Sequence, residues 1–134
     1  MKLESGHADP PAKPVRWMGG SKRDLSSFPA SVRSRIGSAL WRAQVGQKAP
    51  YTKPLKGFAG AGVVEILADA EGDAYRAVYT VRFAEAIYVL HAFQKKSKRG
   101  IAMPKGDIAV ITSRLRAARE DYERWSRSER EVSG

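Results

Sequence analysis

Apolar side chains recur with two different periods along this chain, and the switches between them mark its elements. Val15–Met18 is a short apolar run stopped by Gly19 and Gly20, and it predicts a first strand. Ser21 is placed to cap a short helix through Leu25. Phe28-Pro29 punctuates the chain, with Pro29 suited to a first helical turn. Val32, Ile36, Ala39, Leu40 and Ala43 then follow at spacings of three and four, one stripe on a helix of about four turns. The two helices predict a hairpin. Residues 46–62 carry Pro50, Pro54, Gly57, Gly60 and Gly62 with Lys48, Lys53 and Lys56 between them, and predict an irregular basic loop.

Period two takes over at Val63. Val63–Asp69, Ala74–Arg82 and Ala86–Lys95 predict three strands joined by short links, which force antiparallel pairing. Pro104 then opens a long helix to Ser128, with Ile108, Ile111, Leu115, Ala118, Tyr122 and Trp125 on one stripe. The predicted fold class is α+β. An N-terminal strand and helical hairpin pack on a small twisted antiparallel sheet, and a long C-terminal helix closes it.

Alternation along the strands decides which side chains share a face. Tyr75, Ala77, Tyr79 and Val81 with Ile87, Val89, His91 and Phe93 form a nearly apolar set, expected under the hairpin. Arg76, Val78, Thr80 and Arg82 with Tyr88, Leu90, Ala92, Gln94 and Lys96 form a mixed set, expected to face a groove. A three-residue turn at Phe83–Glu85 keeps the sets apart and puts Arg76 opposite Ala92. A loop at Ala70–Asp73 pairs Leu67 with Arg76 and Glu65 with Val78. It sends Val64, Ile66 and Ala68 to the helices, and Glu65 to the groove, diagonal to Arg76. Glu65, Arg76, Gln94 and Lys96 would then line one concave surface.

Composition narrows the class of partner. The 134 residues, 43% hydrophobic, fit one domain, read here as 14–128 between a polar, proline-rich extension (1–13) and a tail (129–134). The net charge of +10 favours a polyanion. With no cysteine there is no disulfide framework and no thiol nucleophile. His7 and His91 are far apart and are the only histidines, so no metal site and no cofactor is expected. No apolar run reaches the roughly 18 residues of a membrane span, and the N-terminus lacks the apolar core of a signal peptide, so a cytoplasmic protein is expected.

An arginine inside a strand is expensive unless an anion or a carboxylate wants it. Cleavage of RNA by its own 2′-hydroxyl needs a proton acceptor, a charge stabiliser and a proton donor for the leaving oxygen. Arg76 suits the second role through its planar fork, and Lys96 can share it. Glu65 is the best-placed carboxylate and His91 the one imidazole within the domain, although this register turns His91 toward the hairpin. Lys56, Gln94, Lys95, Lys98 and Arg99 are candidate RNA contacts. A structural ion pair from Arg76 to Asp69 or Glu65, a core histidine and a solvated basic strand end remain the plainer readings.

Taken in order, Leu55–Gly57 (LKG), Val64–Ile66 (VEI), Tyr75–Tyr79 (YRAVY), Val89–Lys98 (VLHAFQKKSK) and a helix after Pro104 resemble the RelE/ParE toxin superfamily. The resemblance is to its HigB-like, phage-derived Gp49-like branch and covers Val15 to Arg119. It implies a RelE-like fold and the toxin of a type II toxin–antitoxin system, a metal-independent endoribonuclease that cuts mRNA on the ribosome. It also implies a helix-turn-helix antitoxin partner, through which the complex binds operator DNA. The sheet arginine of the family falls on Arg76, and the basic residue closing the last strand on Lys96 with Lys95 beside it. Two features depart from RelE: Glu65 stands where first-strand lysines are expected, and no tyrosine lies within Lys98–Arg114. A ParE-like gyrase inhibitor, or an inactive homologue that only binds its antitoxin, stays open as the alternative.

Overall fold

The computed structural model describes residues 11–58, 60–95 and 103–133. It is an α+β fold with elements β1 (Val15–Trp17), α1 (Ser21–Ser26), α2 (Ala30–Gln44), β2 (Thr52–Pro54), β3 (Val63–Ala70), β4 (Asp73–Thr80), β5 (Ile87–Lys95) and α3 (Lys105–Ser133). The sheet has five strands in the order β1-β5-β4-β3-β2. Its pairings are antiparallel except for β1, which lies parallel to β5. Strand β2 was not expected. It lies in the basic loop and pairs Lys53 with Glu65. Three residues ending in proline carry too little period-two signal to stand out.

Two apolar clusters occupy the two faces of the sheet. On one, Val32, Ile36, Ala39, Leu40 and Ala43 of α2 pack on Val64, Ile66, Ala68, Ala77, Tyr79 and Val89. On the other, Ile111 and Ala118 of α3 pack on Val63, Val78, Tyr88 and Leu90. Helix α3 continues to Ser133, past the expected end at Ser128. Ser21 is not a cap. It is the first residue of α1, buried, and its hydroxyl donates to Val89 O at 3.3 Å.

The β3–β4 register is the predicted one, with Leu67 opposite Arg76 and Glu65 opposite Val78. The hairpin closes through Glu71 and Gly72, both at positive φ (52° and 83°), as a type I′ turn requires. The β4–β5 register is the predicted one only next to the connection, at Thr80↔Tyr88 and Tyr79↔Val89. One step on, Val78 pairs with His91, so Leu90 is an extra residue in β5. This β-bulge inverts the alternation of everything beyond it. Arg76 therefore lies opposite Phe93, not Ala92. Carbonyls around the bulge are bonded from outside the ladder. Val89 O accepts from Met18 N at 2.9 Å, and Leu90 O accepts from Arg114 Nη1 at 3.0 Å. Gly19, at φ +54°, leaves room for that guanidinium, since a Cβ there would lie 2.6 Å from Arg114 Cζ.

Asp121 of α3 ties its helix to both β1 and β5. Arg16 Nε and Nη2 donate to its two oxygens at 2.8 and 3.2 Å, and Tyr88 Oη donates at 2.5 Å. The Arg16 hydrogen bonds hold the Asp121 carboxyl below its ordinary 3.8, and burial, reinforced by Asp121, pushes the Tyr88 hydroxyl up. A depressed carboxyl contributes stability above its ordinary value that is lost as pH falls through the folded value. Asp121→Asn is therefore expected to lower Tm at pH 7, with the gap to wild type closing as pH drops below 3.8. Arg114→Met keeps the aliphatic stem but strips Leu90 O of its partner. It is expected to cost about 1–3 kcal/mol in urea unfolding.

Candidate functional site

The bulge brings four side chains into one row across the sheet. Lys53 of β2 pairs with Glu65 of β3, Glu65 with Val78 of β4, and Val78 with His91 of β5. Arg76 lies two residues along β4 from Val78, on the same side, and so is diagonal to both Glu65 and His91. Such diagonals set residues about 7–8 Å apart, with Cβ atoms somewhat closer. Glu65, Arg76 and His91 thus surround Val78 on the face that α1 and α2 do not cover.

His91 is the main correction to the sequence reading. It does not turn to the hairpin. Its Nε2 lies 2.8 Å from Asp107 Oδ1 in the first turn of α3, and its ring stacks on Phe93 with centroids 4.7 Å apart. The Nδ1 atom is buried without a hydrogen-bond partner among the described residues. In the neutral ring, a proton on Nε2 satisfies the carboxylate and leaves Nδ1 as a bare acceptor.

Arg76 is held from two sides. Its Nε lies 3.5 Å from Glu65 Oε2, and its Nη1 donates to Asp69 Oδ1 at 3.2 Å and to Tyr75 O at 2.8 Å. The ion pair weighed from the sequence is therefore present. Its side chain is 12% exposed, whereas Asp69 is 72% exposed and so is the looser partner. No hydrogen bond from Nη2 is formed among the described residues. Half of the guanidinium fork is uncommitted.

Glu65 is buried, with its side chain 8% exposed. Lys53 Nζ lies 3.9 Å from Oε1 on the side opposite Arg76. A cavity of about 560 Å³ opens over it. It is lined by Lys53, Pro54, Leu55 and Lys56 in and after β2, by Glu65, and by Met103 and Ile108 just before and in the first turn of α3.

Lys95 pairs with Ala74 and so lies on the Arg76 side of the sheet. Gln94 pairs with Tyr75 and falls on the hairpin side, another consequence of the bulge. Lys96, Lys98 and Arg99 lie outside the described residues. Sequence reasoning missed Asp107, and it noted Lys53 as a basic-loop cation with a weak claim to phosphate but not its place beside Glu65. Asp107 sits one turn before Ile111 on the face of α3 that meets the sheet, which was a usable signal. Lys53 needed β2 to be recognised. Among the described residues, no group of three or more His, Asp or Glu side chains could hold a metal ion, and no helix is long and apolar enough to cross a membrane.

The chain belongs to the family described as Phage derived protein Gp49-like (DUF891), whose model matches residues 23–116. This is the branch that the strand motifs resemble. No curated protein matches the chain in sequence. Among solved structures it is similar to a double mutant of the Escherichia coli toxin RelE in the free state, at 16% identity and a TM-score of 0.48. That match covers 65% of this chain and 87% of the other. It is also similar to the RelBE2 toxin–antitoxin complex of Mycobacterium tuberculosis, at 18% identity and a TM-score of 0.43, covering 60% and 95%.

The pairing of His91 with Asp107 has a spectroscopic consequence. At a pH where the ring is neutral, ¹⁵N shifts should show the Nε2-protonated tautomer, and Asp107→Asn should reduce that preference. A predominantly Nδ1-protonated ring in the wild type would contradict the geometry.

Proposed function

We propose that this protein is the toxin of a type II toxin–antitoxin pair and that it cleaves mRNA, on the ribosome, without a metal ion. The observation that carries the reading is the placing of Arg76, His91 and Glu65 around Val78 on the face away from the hairpin. A guanidinium, an imidazole with an orienting carboxylate and a buried carboxylate stand there on one face of the sheet.

In the proposed reaction the RNA 2′-oxygen attacks the adjacent phosphorus and the bond from phosphorus to the 5′-oxygen breaks. The products are a 2′,3′-cyclic phosphate and a 5′-hydroxyl. Arg76 offers Nη2 to the non-bridging oxygens, where charge builds up. Asp69, exposed and on the outer side, is the partner a phosphate displaces. Glu65 holds the inner side of the guanidinium and keeps its fork aimed. His91 takes the proton from the 2′-hydroxyl and returns it to the leaving oxygen, with Asp107 fixing its tautomer. Entry of the RNA has to open the buried Nδ1 edge. Lys95, with Lys96, Lys98 and Arg99 following it in sequence, draws in the polyanion. The antitoxin partner, of helix-turn-helix type and carrying the complex to operator DNA, is inferred from the motif resemblance, as is a cytoplasmic location.

A second reading, a ParE-like gyrase inhibitor or an inactive homologue, is favoured by one observation. The Nε and Nη1 of Arg76 are already engaged by carboxylates. Mapping RNA 5′ ends in cells that make the protein separates the two. The nuclease reading expects new 5′-hydroxyl ends and arrested growth. Arg76→Lys, which keeps a cation beside Glu65 but loses the fork, should lower cleavage about 10²–10³-fold with Tm retained. His91→Gln should lower it about 10²–10⁴-fold. Intact transcripts with DNA damage would support gyrase poisoning instead, and a fully active Arg76→Lys would remove the role given to the fork.

A further inference from the structure

Glu65 is unusual for a structural ion-pair partner. The residue is 6% exposed, yet neither oxygen receives a hydrogen bond among the described residues. Its cations stand off at 3.5 and 3.9 Å, and it lines the cavity. A buried carboxylate normally has its lone pairs filled by donors. Here they open on a space of about 560 Å³ walled by Leu55, Met103 and Ile108. A cation is the wrong ligand for that space. Among the described residues Lys53 and Lys56 line it, Arg76 lies 3.5 Å from Glu65, and Glu65 is the one carboxylate, the other lining residues being Pro54, Leu55, Met103 and Ile108, so a metal ion would find one anionic ligand and two like charges.

The chemistry fits a flat group with apolar faces, donors on one edge and a negative charge beyond. We propose that this cavity is a base-reading pocket for guanine in single-stranded RNA, with Glu65 as the specificity-determining residue. The proposal rests on the reading of RNA as the substrate. A carboxylate only accepts hydrogen bonds. Guanine presents two adjacent donors, N1–H and N2–H, on its Watson–Crick edge, and meets the two carboxylate oxygens side by side. Adenine and cytosine place a ring-nitrogen acceptor beside their amino group, and uracil flanks its one N–H with two carbonyls. Each would set a lone pair against a Glu65 oxygen. Single-stranded RNA exposes this edge, and apolar side chains can cover the faces of an unstacked base. Lys53 and Lys56, at the exposed flank, meet the phosphates on either side.

Binding can be measured without cleavage, using uncleavable 2′-O-methyl trinucleotides UGU, UAU, UCU and UUU titrated into the full chain. UGU is expected to bind at least about tenfold tighter than the other three. Glu65→Gln should erase that preference, with Tm followed to confirm folding. Ile108→Trp, which fills the cavity while leaving Glu65 in place, should remove the preference as well. Equal binding of the four, no binding of any, or a guanine preference that survives either variant would overturn the proposal. Guanine preference in a protein that leaves transcripts whole would support the pocket and remove only the cleavage reading.

Discussion

One extra residue in β5 decides which side chains share the face under α3. Leu90 interrupts the ladder between Tyr79↔Val89 and Val78↔His91. A strand has a side-chain period of two, so a single insertion exchanges the faces of all that follows. Without it, His91 and Phe93 would enter the core against α2, and Ala92 and Gln94 would face the groove. With it, a small alanine fills the hairpin side and an imidazole joins the guanidinium and the carboxylate. Leu90 O at the bulge is met by Arg114, which ties the distortion to α3, while Val89 O keeps its place in the pairing with β1 through Met18 N. The bulge is thus a built feature with its own supports. Bulges next to functional sites commonly re-aim a side chain in this way.

The same face shows how charge is handled away from solvent. Glu65 and Arg76 sit where apolar side chains would pack more cheaply, and each is only partly matched. A buried ion pair is weak evidence for stability, because desolvation can exceed the attraction gained. Keeping one therefore asks for a reason, and incomplete hydrogen bonding points to a ligand that completes it. Helix α3 sets the limits of this region. Its middle is anchored by Asp121 to Arg16 and Tyr88, and its first turn delivers Asp107 to His91 and Ile108 to the cavity wall.

Much of this was legible in the residues. The α2 stripe from Val32 to Ala43, the α3 stripe from Ile111 to Trp125 and the β3–β4 register follow from apolar spacing and the structure keeps each of them, while Ile108 at the head of the α3 stripe lines the cavity. The Val89–Lys98 segment pointed to the phage-derived branch to which the chain belongs. What escaped notice escaped for physical reasons. The bulge leaves no mark in the pattern, because Leu90, His91, Ala92 and Phe93 are all tolerable on either face. Strand β2 is set by pairing with β3 and not by its own composition. Asp107 reads as an ordinary first-turn acid that favours a helix start, and only the bulge gives it a histidine to bind.

The central claim is that His91 lies on the α3 side of the sheet. Nuclear Overhauser contacts from its ring protons in an isotope-labelled sample test this directly. The account predicts contacts to the Val78 methyls and to the β-protons of Asp107. Contacts to Ile36 or Ala39 of α2 would show an unbulged β5 with His91 in the hairpin core, and would dissolve the site described here.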